Sequence, residues 1–289
     1  MPELPEVEVV KRSLTNKLQN LIIKKVKIND YKLRYHINKN SIRKIVGLKF
    51  KKVERKSKFL LFFFDKDIIM LTHLGMTGKF FFVNQRNMKL KTSFYYKINS
   101  KKDQKHDHLE FILSREKKLI YNDVRKFGFI KFLYKKNLAY NSHLVNLGPE
   151  PLKQEFNYLY FNQYIKNRNR LIKNILMDQK FVSGIGNIYA NEILFKSKVK
   201  PTRKGKTLKK FEIKKIIKST KIILNNAIKM GGSSIKDFSS DNGKKGSFQQ
   251  YFSVYGKKGY RCHNKSCKSK IVKLSICNRA TFFCTKCQK

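Results

Sequence analysis

Apolar residues recur at three- and four-residue intervals at the start of the chain, where Val7, Val10, Leu14 and Leu18 share one face of a helix spanning 4–18. Pro5 suits its first turn, and Glu6 and Glu8 complement the positive end of its dipole. Past Leu21 the period changes. Short β-rich runs at 59–64, 68–72, 79–83, 94–98, 109–113, 118–121 and 129–133 are separated by polar or glycine-bearing turns. Many short strands without intervening helices predict an antiparallel sandwich or barrel. From 156 onward the helical period returns, at 156–165, 171–180, 187–197 and a lysine-studded stretch from about 208 to 230. A glycine-bearing polar loop follows at 231–246, and two cysteine pairs close the chain. The pattern predicts an α+β multidomain protein. Its parts are a β domain at 1–133, a linker at 134–151 containing Gly148-Pro149-Glu150-Pro151, a helical domain at 152–250 and a metal-binding tail at 251–289.

Charge narrows the class of partner. The 66 Lys and Arg against 19 Asp and Glu give a formal net charge of +47 on 289 residues, beyond what solubility requires, and a polyanion is the natural partner. Part of the excess follows composition, since the chain is rich in Lys, Asn, Ile, Phe and Tyr and has no Trp, as an AT-rich coding sequence would give. The 41% hydrophobic content with 23 Phe still supplies cores for two domains. No basic segment followed by an apolar stretch opens the chain, and the longest apolar run, 59–64, is too short to span a bilayer. A soluble, cytoplasmic protein without a membrane partner is expected.

Three local patterns carry candidate chemistry. Pro2 follows the initiator methionine and is small enough for Met1 to be removed, which leaves a secondary amine beside Glu3. An α-amine has a pKa of about 7.7–8.0, so part of it is free near neutral pH and can attack an electrophilic carbon. A helix N-terminus disfavours the ammonium and pushes that pKa down. Cys262-x4-Cys267 and Cys284-x2-Cys287, with a hairpin-length insert, have the spacing of one tetrahedral, structural four-thiolate zinc site. Cys277 is the odd one and is expected as a small core residue. The insert presents Arg279 outward, suited to a phosphate or simply solvated. Ser183-Gly184-Ile185-Gly186-Asn187 reads as a helix-to-helix turn in which Asn187 can cap the next helix and its amides can hold an anion. His106 and His108 have metal-ligand spacing on a strand, but no third ligand suggests itself.

Five motifs in order, Pro2-Glu3-Leu4-Pro5-Glu6-Val7-Glu8, His73-Leu74-Gly75-Met76-Thr77-Gly78, Asp123-Val124-Arg125-Lys126-Phe127-Gly128, Gly184-Ile185-Gly186-Asn187-Ile188-Tyr189-Ala190 and the cysteine ribbon, resemble the bacterial formamidopyrimidine-DNA glycosylases over essentially the whole chain. The resemblance implies a two-layer antiparallel β-sandwich with flanking helices, a helix-two-turn-helix DNA-binding domain and a β-hairpin zinc finger. It implies a monomeric base-excision repair enzyme of the bacterial cytoplasm, associated with the nucleoid. Such an enzyme excises oxidised purines such as 8-oxoguanine and formamidopyrimidines from damaged double-stranded DNA, then nicks the strand by β,δ-elimination. By that resemblance Pro2 attacks the sugar C1′ and forms an imine, Glu3 shuttles protons, Lys58 donates in β-elimination, and Arg279 acts in δ-elimination while gripping phosphate. Met76, Arg125 and Phe127 match a trio that fills the void left by the flipped nucleotide, with Arg125 suited to the orphaned cytosine. His106 and Arg168 align with DNA contacts, Asn187 with a phosphate contact, and 231–246 with a loop that closes over the flipped base.

Departures are modest: Lys126 stands where many relatives carry arginine, and the first cysteine pair is spaced by four residues where two is common. Two other readings stay open. One is an endonuclease VIII-like enzyme for oxidised pyrimidines, disfavoured by Leu4, Met76 and the separated Arg125 and Phe127. The other is a catalytically silent zinc-ribbon nucleic-acid binder, disfavoured by intact Pro2, Glu3, Lys58 and Arg279.

Overall fold

A computed structural model describes residues 1–83, 89–91, 104–233 and 248–289. The strand expected at 94–98 and nearly all of the loop expected at 231–246 lie outside them. The chain divides into two compact units, Met1–Val145 with Met230–Ser247, and Asn146–Lys229 with Phe248–Lys289.

The first unit begins with α1 (Leu4–Leu18), whose Val7, Val10, Leu14 and Leu18 are fully buried. Glu3 is its N-cap, and a capping box with Glu6 satisfies two of the orphan amides of the first turn. The helix stops where Asn20 turns left-handed at φ 63°. β1 (Ile23–Ile28), α2 (Lys39–Ile45), β2 (Phe50–Lys56), β3 (Phe59–Phe64), β4 (Ile68–His73), β5 (Lys79–Val83), β6 (Lys89–Lys91), β7 (Asp107–Leu113), β8 (Lys118–Asn122) and β9 (Phe129–Tyr134) follow. They form two antiparallel sheets, β1-β7-β8-β5-β6 and β2-β3-β4-β9. Their inner faces meet in an aromatic core, with Phe62 of one sheet 5.2 Å from Phe80 of the other and Phe50 4.7 Å from Phe64 between ring centroids.

Strands β3 and β4 are buried on both faces, which is why they read as unbroken apolar runs. β1 and β2 were not among the expected strands. Their sequences, IKKVKI and FKKVERK, anchor the core through Ile23, Phe50 and Val53 and carry exposed or half-exposed charge at most other positions, so the apolar signal is sparse.

The second unit holds α3 (Tyr158–Ile165), α4 (Ile172–Met177), α5 (Asn187–Ser197), α6 (Lys210–Lys229) and the hairpin β10 (Ile271–Ile276) with β11 (Arg279–Cys284). α4 is shorter than its apolar period suggests, because Asp178 adopts extended backbone and its carboxylate accepts from the Lys180 amide at 3.0 Å. α5 ends at Lys198 in the left-handed region, φ 61°. Buried Glu192 on α5 accepts from the amides of Ser253, Val254 and Tyr255 at 2.8–3.0 Å, and burial raises its pKa although these bonds oppose the rise. No described helix is long and apolar enough to cross a membrane.

Candidate active site

In the first unit the chemistry converges on the N-terminus of α1. Pro2 and Glu3 are buried there. The Glu6 carboxylate bridges two pieces of chain, accepting from the Glu3 amide at 2.9 Å with one oxygen and from the Ser233 amide and hydroxyl at 2.8 and 2.9 Å with the other. Gly232 beside it has φ +82°, and a Cβ there would stand 3.2 Å from that carboxylate, so only glycine lets the strap lie this close. Glu8, one turn on, takes Arg55 at 2.9 Å, and Arg55 in turn donates to the Ser57 carbonyl at 2.9 Å. That fixes the β2–β3 turn, where Ser57 has φ 56° and Lys58 is 6% exposed.

The terminal amine, here that of Met1, is held below its ordinary pKa first by burial. Glu3 and then Glu6 pull the value back up, while Lys58 and Arg125 push it down. A nucleophilic amine at this spot is therefore kept deprotonated more readily than in solution.

Two turns flank the site. Met76 and Phe127, 36% and 46% exposed, project from the β4–β5 and β8–β9 turns, and the Arg125 guanidinium lies 4.7 Å over the Phe127 ring. The turns touch backbone to backbone: Gly75 has φ +61°, and a Cβ on it would come within 2.4 Å of Phe127 C and Gly128 N. Fully buried Asp123 clamps both, accepting from the Thr77 hydroxyl, from Arg125 N at 3.3 Å and from Gly128 N at 2.8 Å. Asp123 and Glu6 position the site through contacts with residues distant in sequence, which their local patterns do not show. Met76 and Phe127 belong to no core.

His106 lies in a 3-10 turn before β7, its carbonyl accepting from Asp123 N at 3.1 Å. His108 is buried, with Nε2 2.8 Å from the Asp123 carbonyl. His73, also not singled out, stacks on Phe129 at 5.7 Å and accepts from the Gly75 amide at Nδ1, 3.1 Å away. That bond fixes the neutral tautomer with its proton on Nε2. Burial first, then the charges of Lys58, Arg34, His143 and the N-terminus, push its pKa down to about 4.

In the second unit Arg279 starts β11 and is exposed. Beneath it Lys173, fully buried, donates to the Ala280 carbonyl at 3.1 Å and the Thr281 hydroxyl at 2.6 Å. Burial and the Arg279 charge push the Lys173 pKa down to about 8. Asn187 does not cap α5 as expected. Gly186 is the N-cap, and the Asn187 amide donates to the Ala280 carbonyl at 3.0 Å. Cys277 is exposed at the hairpin turn, φ 47°, and is not a core residue, because the turn projects it outward, where its thiol accepts from the Asn174 side-chain amide at 3.1 Å. Arg168 is exposed, its guanidinium 4.0 Å over Tyr164 and donating to the Tyr164 carbonyl at 2.7 Å.

The thiols of Cys262, Cys267, Cys284 and Cys287 lie within 4.8 Å of one another and could hold a metal ion. The Cys262–Cys287 and Cys267–Cys284 separations of 3.7 Å match the edge of about 3.8 Å that a tetrahedron with metal–sulfur bonds of about 2.3 Å requires. Among the described residues no other such cluster of His, Cys, Asp and Glu occurs.

Known sequences and structures resemble this chain over its whole length. The model of the formamidopyrimidine-DNA glycosylase N-terminal domain matches residues 1–130, and that of the formamidopyrimidine-DNA glycosylase H2TH domain matches 147–239. A formamidopyrimidine-DNA glycosylase of Rickettsia bellii (strain OSU 85-389) is 39% identical over 289 residues, all of both chains. Two crystal structures from Lactococcus lactis cover all of both chains: a glycine-to-proline mutant with a Fapy-dG containing DNA, at TM-score 0.85 and 30% identity, and the wild-type enzyme with an oxidized pyrimidine containing DNA, at 0.83 and 29%.

The His73 environment has a measurable consequence. Between about pH 4 and 6.5 the unfolded chain binds a proton at this imidazole that the folded protein refuses. The contribution of His73 to stability is therefore present above pH 6.5 and lost as pH falls to about 4. His73→Gln is expected to flatten the fall of the denaturant midpoint across that window, compared with wild type by equilibrium unfolding at each pH.

Proposed function

The chain belongs to the formamidopyrimidine-DNA glycosylase family, DNA glycosylases of base excision repair with characteristic AP-lyase activity, and we propose that its chemistry runs through the N-terminal amine of Pro2. The observation that carries this reading is the place of Pro2, buried at the head of α1, where the terminal amine, that of Met1 in the structure, has its pKa lowered by burial amid Glu3, Glu6, Lys58 and Arg125. Damaged double-stranded DNA is the partner, and oxidised purines are the substrates we assign, 8-oxoguanine and formamidopyrimidines among them.

Once Met1 is removed, the Pro2 lone pair attacks C1′ of the flipped nucleotide. The glycosidic bond breaks and its electrons leave with the base, which gains a proton through Glu3. The nitrogen gives up its proton and its lone pair then opens the sugar ring, breaking C1′–O4′ as O4′ takes a proton, and the resulting imine (an iminium) acidifies the C2′ proton. Its loss expels the 3′ phosphate, and a second elimination expels the 5′ phosphate. Lys58, buried at the β2–β3 turn, is assigned proton transfer in the first elimination, and Arg279 the phosphate grip and the second. Met76, Arg125 and Phe127, presented by the turns that Asp123 clamps, are assigned the space the flipped nucleotide vacates. His106, Arg168 and Asn187 are assigned DNA contacts.

The four thiolates fit one structural zinc ion. Its charge would draw Cys262, Cys267, Cys284 and Cys287 together, and the chain's own part is to present Arg279 from the hairpin that Lys173 and Asn187 hold by its carbonyl and hydroxyl. The enzyme is assigned to the bacterial cytoplasm, at the nucleoid.

Borohydride reduction during reaction with an 8-oxoguanine:cytosine duplex is expected to trap a lesion-dependent adduct that maps to Pro2 in the wild type and is lost in Pro2→Gly. Tight, salt-sensitive binding without any adduct would leave the catalytically silent reading. Glu3→Gln is expected to slow single-turnover base excision on the order of 10²–10⁴-fold. The acid limb of the wild-type rate should fall below the ordinary α-amine range of about 7.7–8.0, because burial lowers the amine pKa.

Metal analysis is expected to find one zinc per chain. Chelation or Cys284→Ser should unfold the tail, read as loss of amide-exchange protection across β10 and β11 and weaker DNA binding.

A further inference from the structure

On the outer face of the second sheet the register sets Lys131 of β9 in a row with Leu61 and Leu71. A leucine would pack there. Instead the lysine ammonium lies 4.0 Å from the Tyr35 ring centroid and 2.9 Å from His143 Nε2. His143 packs on Phe129 at 4.7 Å, Tyr35 meets Phe129 edge-on at 5.2 Å, and the Arg34 guanidinium stands 5.9 Å from the Tyr35 centroid. Among the described residues no carboxylate pairs with Arg34 or Lys131; Asp30, on the same loop, is bound to Lys126 at 2.6 Å. A half-buried cation without a counter-ion is costly, and cation–π contact and one neutral imidazole offset that only in part. Tyr35 remains 37% exposed. The patch is continuous with the His73 turn, because His143 packs on Phe129 and Phe129 stacks on His73 at 5.7 Å.

We propose that Arg34, Tyr35, Lys131 and His143 form a binding site for the sugar-phosphate backbone of the DNA strand that flanks the lesion. Lys131 and Arg34 take a phosphate, the missing anion. The exposed Tyr35 ring packs against the adjoining sugar or base, as aromatic side chains interleaved with basic ones do along nucleic-acid grooves. His143 holds Lys131 in place by accepting its hydrogen bond and leaves the charge intact. This proposal rests on the functional reading above and extends it to residues outside the catalytic group.

The test measures the salt dependence of binding of the full-length, zinc-loaded enzyme to an 8-oxoguanine duplex, for wild type, Lys131→Ala, Lys131→Arg, Tyr35→Ala and Lys24→Ala. Lys24 is an exposed β1 lysine that controls for general charge. Lys131→Ala is expected to lower the slope of log K against log salt by about 0.9, one phosphate, and Lys131→Arg to retain it. Tyr35→Ala should weaken binding with little change in slope. Shortening the duplex on one side of the lesion, and only one, should abolish the difference between wild type and Lys131→Ala. A Lys131→Ala slope equal to that of Lys24→Ala, or a difference that survives both truncations, overturns the proposal. If wild type gives no borohydride adduct, the functional reading fails first; an adduct with an unchanged slope removes this site alone. Unfolding midpoints identify a variant that fails to fold, in which case the Arg34→Ala slope decides.

Discussion

The Glu6 carboxylate carries the geometry of the first unit's active site. One oxygen closes the capping box by holding the Glu3 amide, and the other holds the Ser233 amide and hydroxyl. A 2% exposed carboxylate is costly unless its lone pairs are used, and here three donors use them. Removing it would release the first turn of α1 and the strap at Gly232 and Ser233 together. Pro2, Glu3 and the stem of the segment that follows α6 therefore share one anchor. Because that anchor is itself a negative charge, it raises the terminal amine's pKa against burial, so the helix head has to balance nucleophilicity against fixation.

Asp123 and Lys173 follow the same logic. Each is a fully buried residue that binds backbone or hydroxyl groups, of two turns for Asp123 and of the start of β11 for Lys173, and leaves the outward side chains exposed: Arg125 and Phe127 above Asp123, Arg279 above Lys173. A turn held by its backbone tolerates exposed reactive side chains, since their exposure costs the fold nothing.

How much of this was legible in the sequence depended on whether function and stability wanted the same residue. The α1 face, the doubly buried β3 and β4, and α5 follow their apolar periods, and the cysteine spacing anticipates thiols within 4.8 Å. β1 and β2 escaped because lysine occupies most outward positions and leaves few apolar residues in each strand. The role of Asn187 was misjudged because Asn favours caps in general, whereas Gly186 already occupies that position and the Ala280 carbonyl offers the amide a long-range partner. Cys277 was placed inside on residue type alone, although a two-residue hairpin turn at positive φ cannot bury it. Glu6, Asp123 and Lys173 act through contacts distant in sequence, which no local pattern encodes.

Burial also separates two populations of lysine that the composition mixes. Drift toward lysine fills positions where a charge costs little, the exposed faces of β1, β2 and α6. It has no route into the interior, where an unpaired ammonium is expensive. Lys58, Lys79 and Lys173, at 6%, 4% and 0% exposure, lie in the β2–β3 turn, in β5 and in α4, and Lys173 offsets its burial with two hydrogen bonds. Lys131 is only half-buried, but it too is set among apolar neighbours, in a row with Leu61 and Leu71. Net charge alone implicates a polyanion and says nothing of where it lies; the cations that resist the apolar setting of their neighbours are the ones whose positive charge the protein requires.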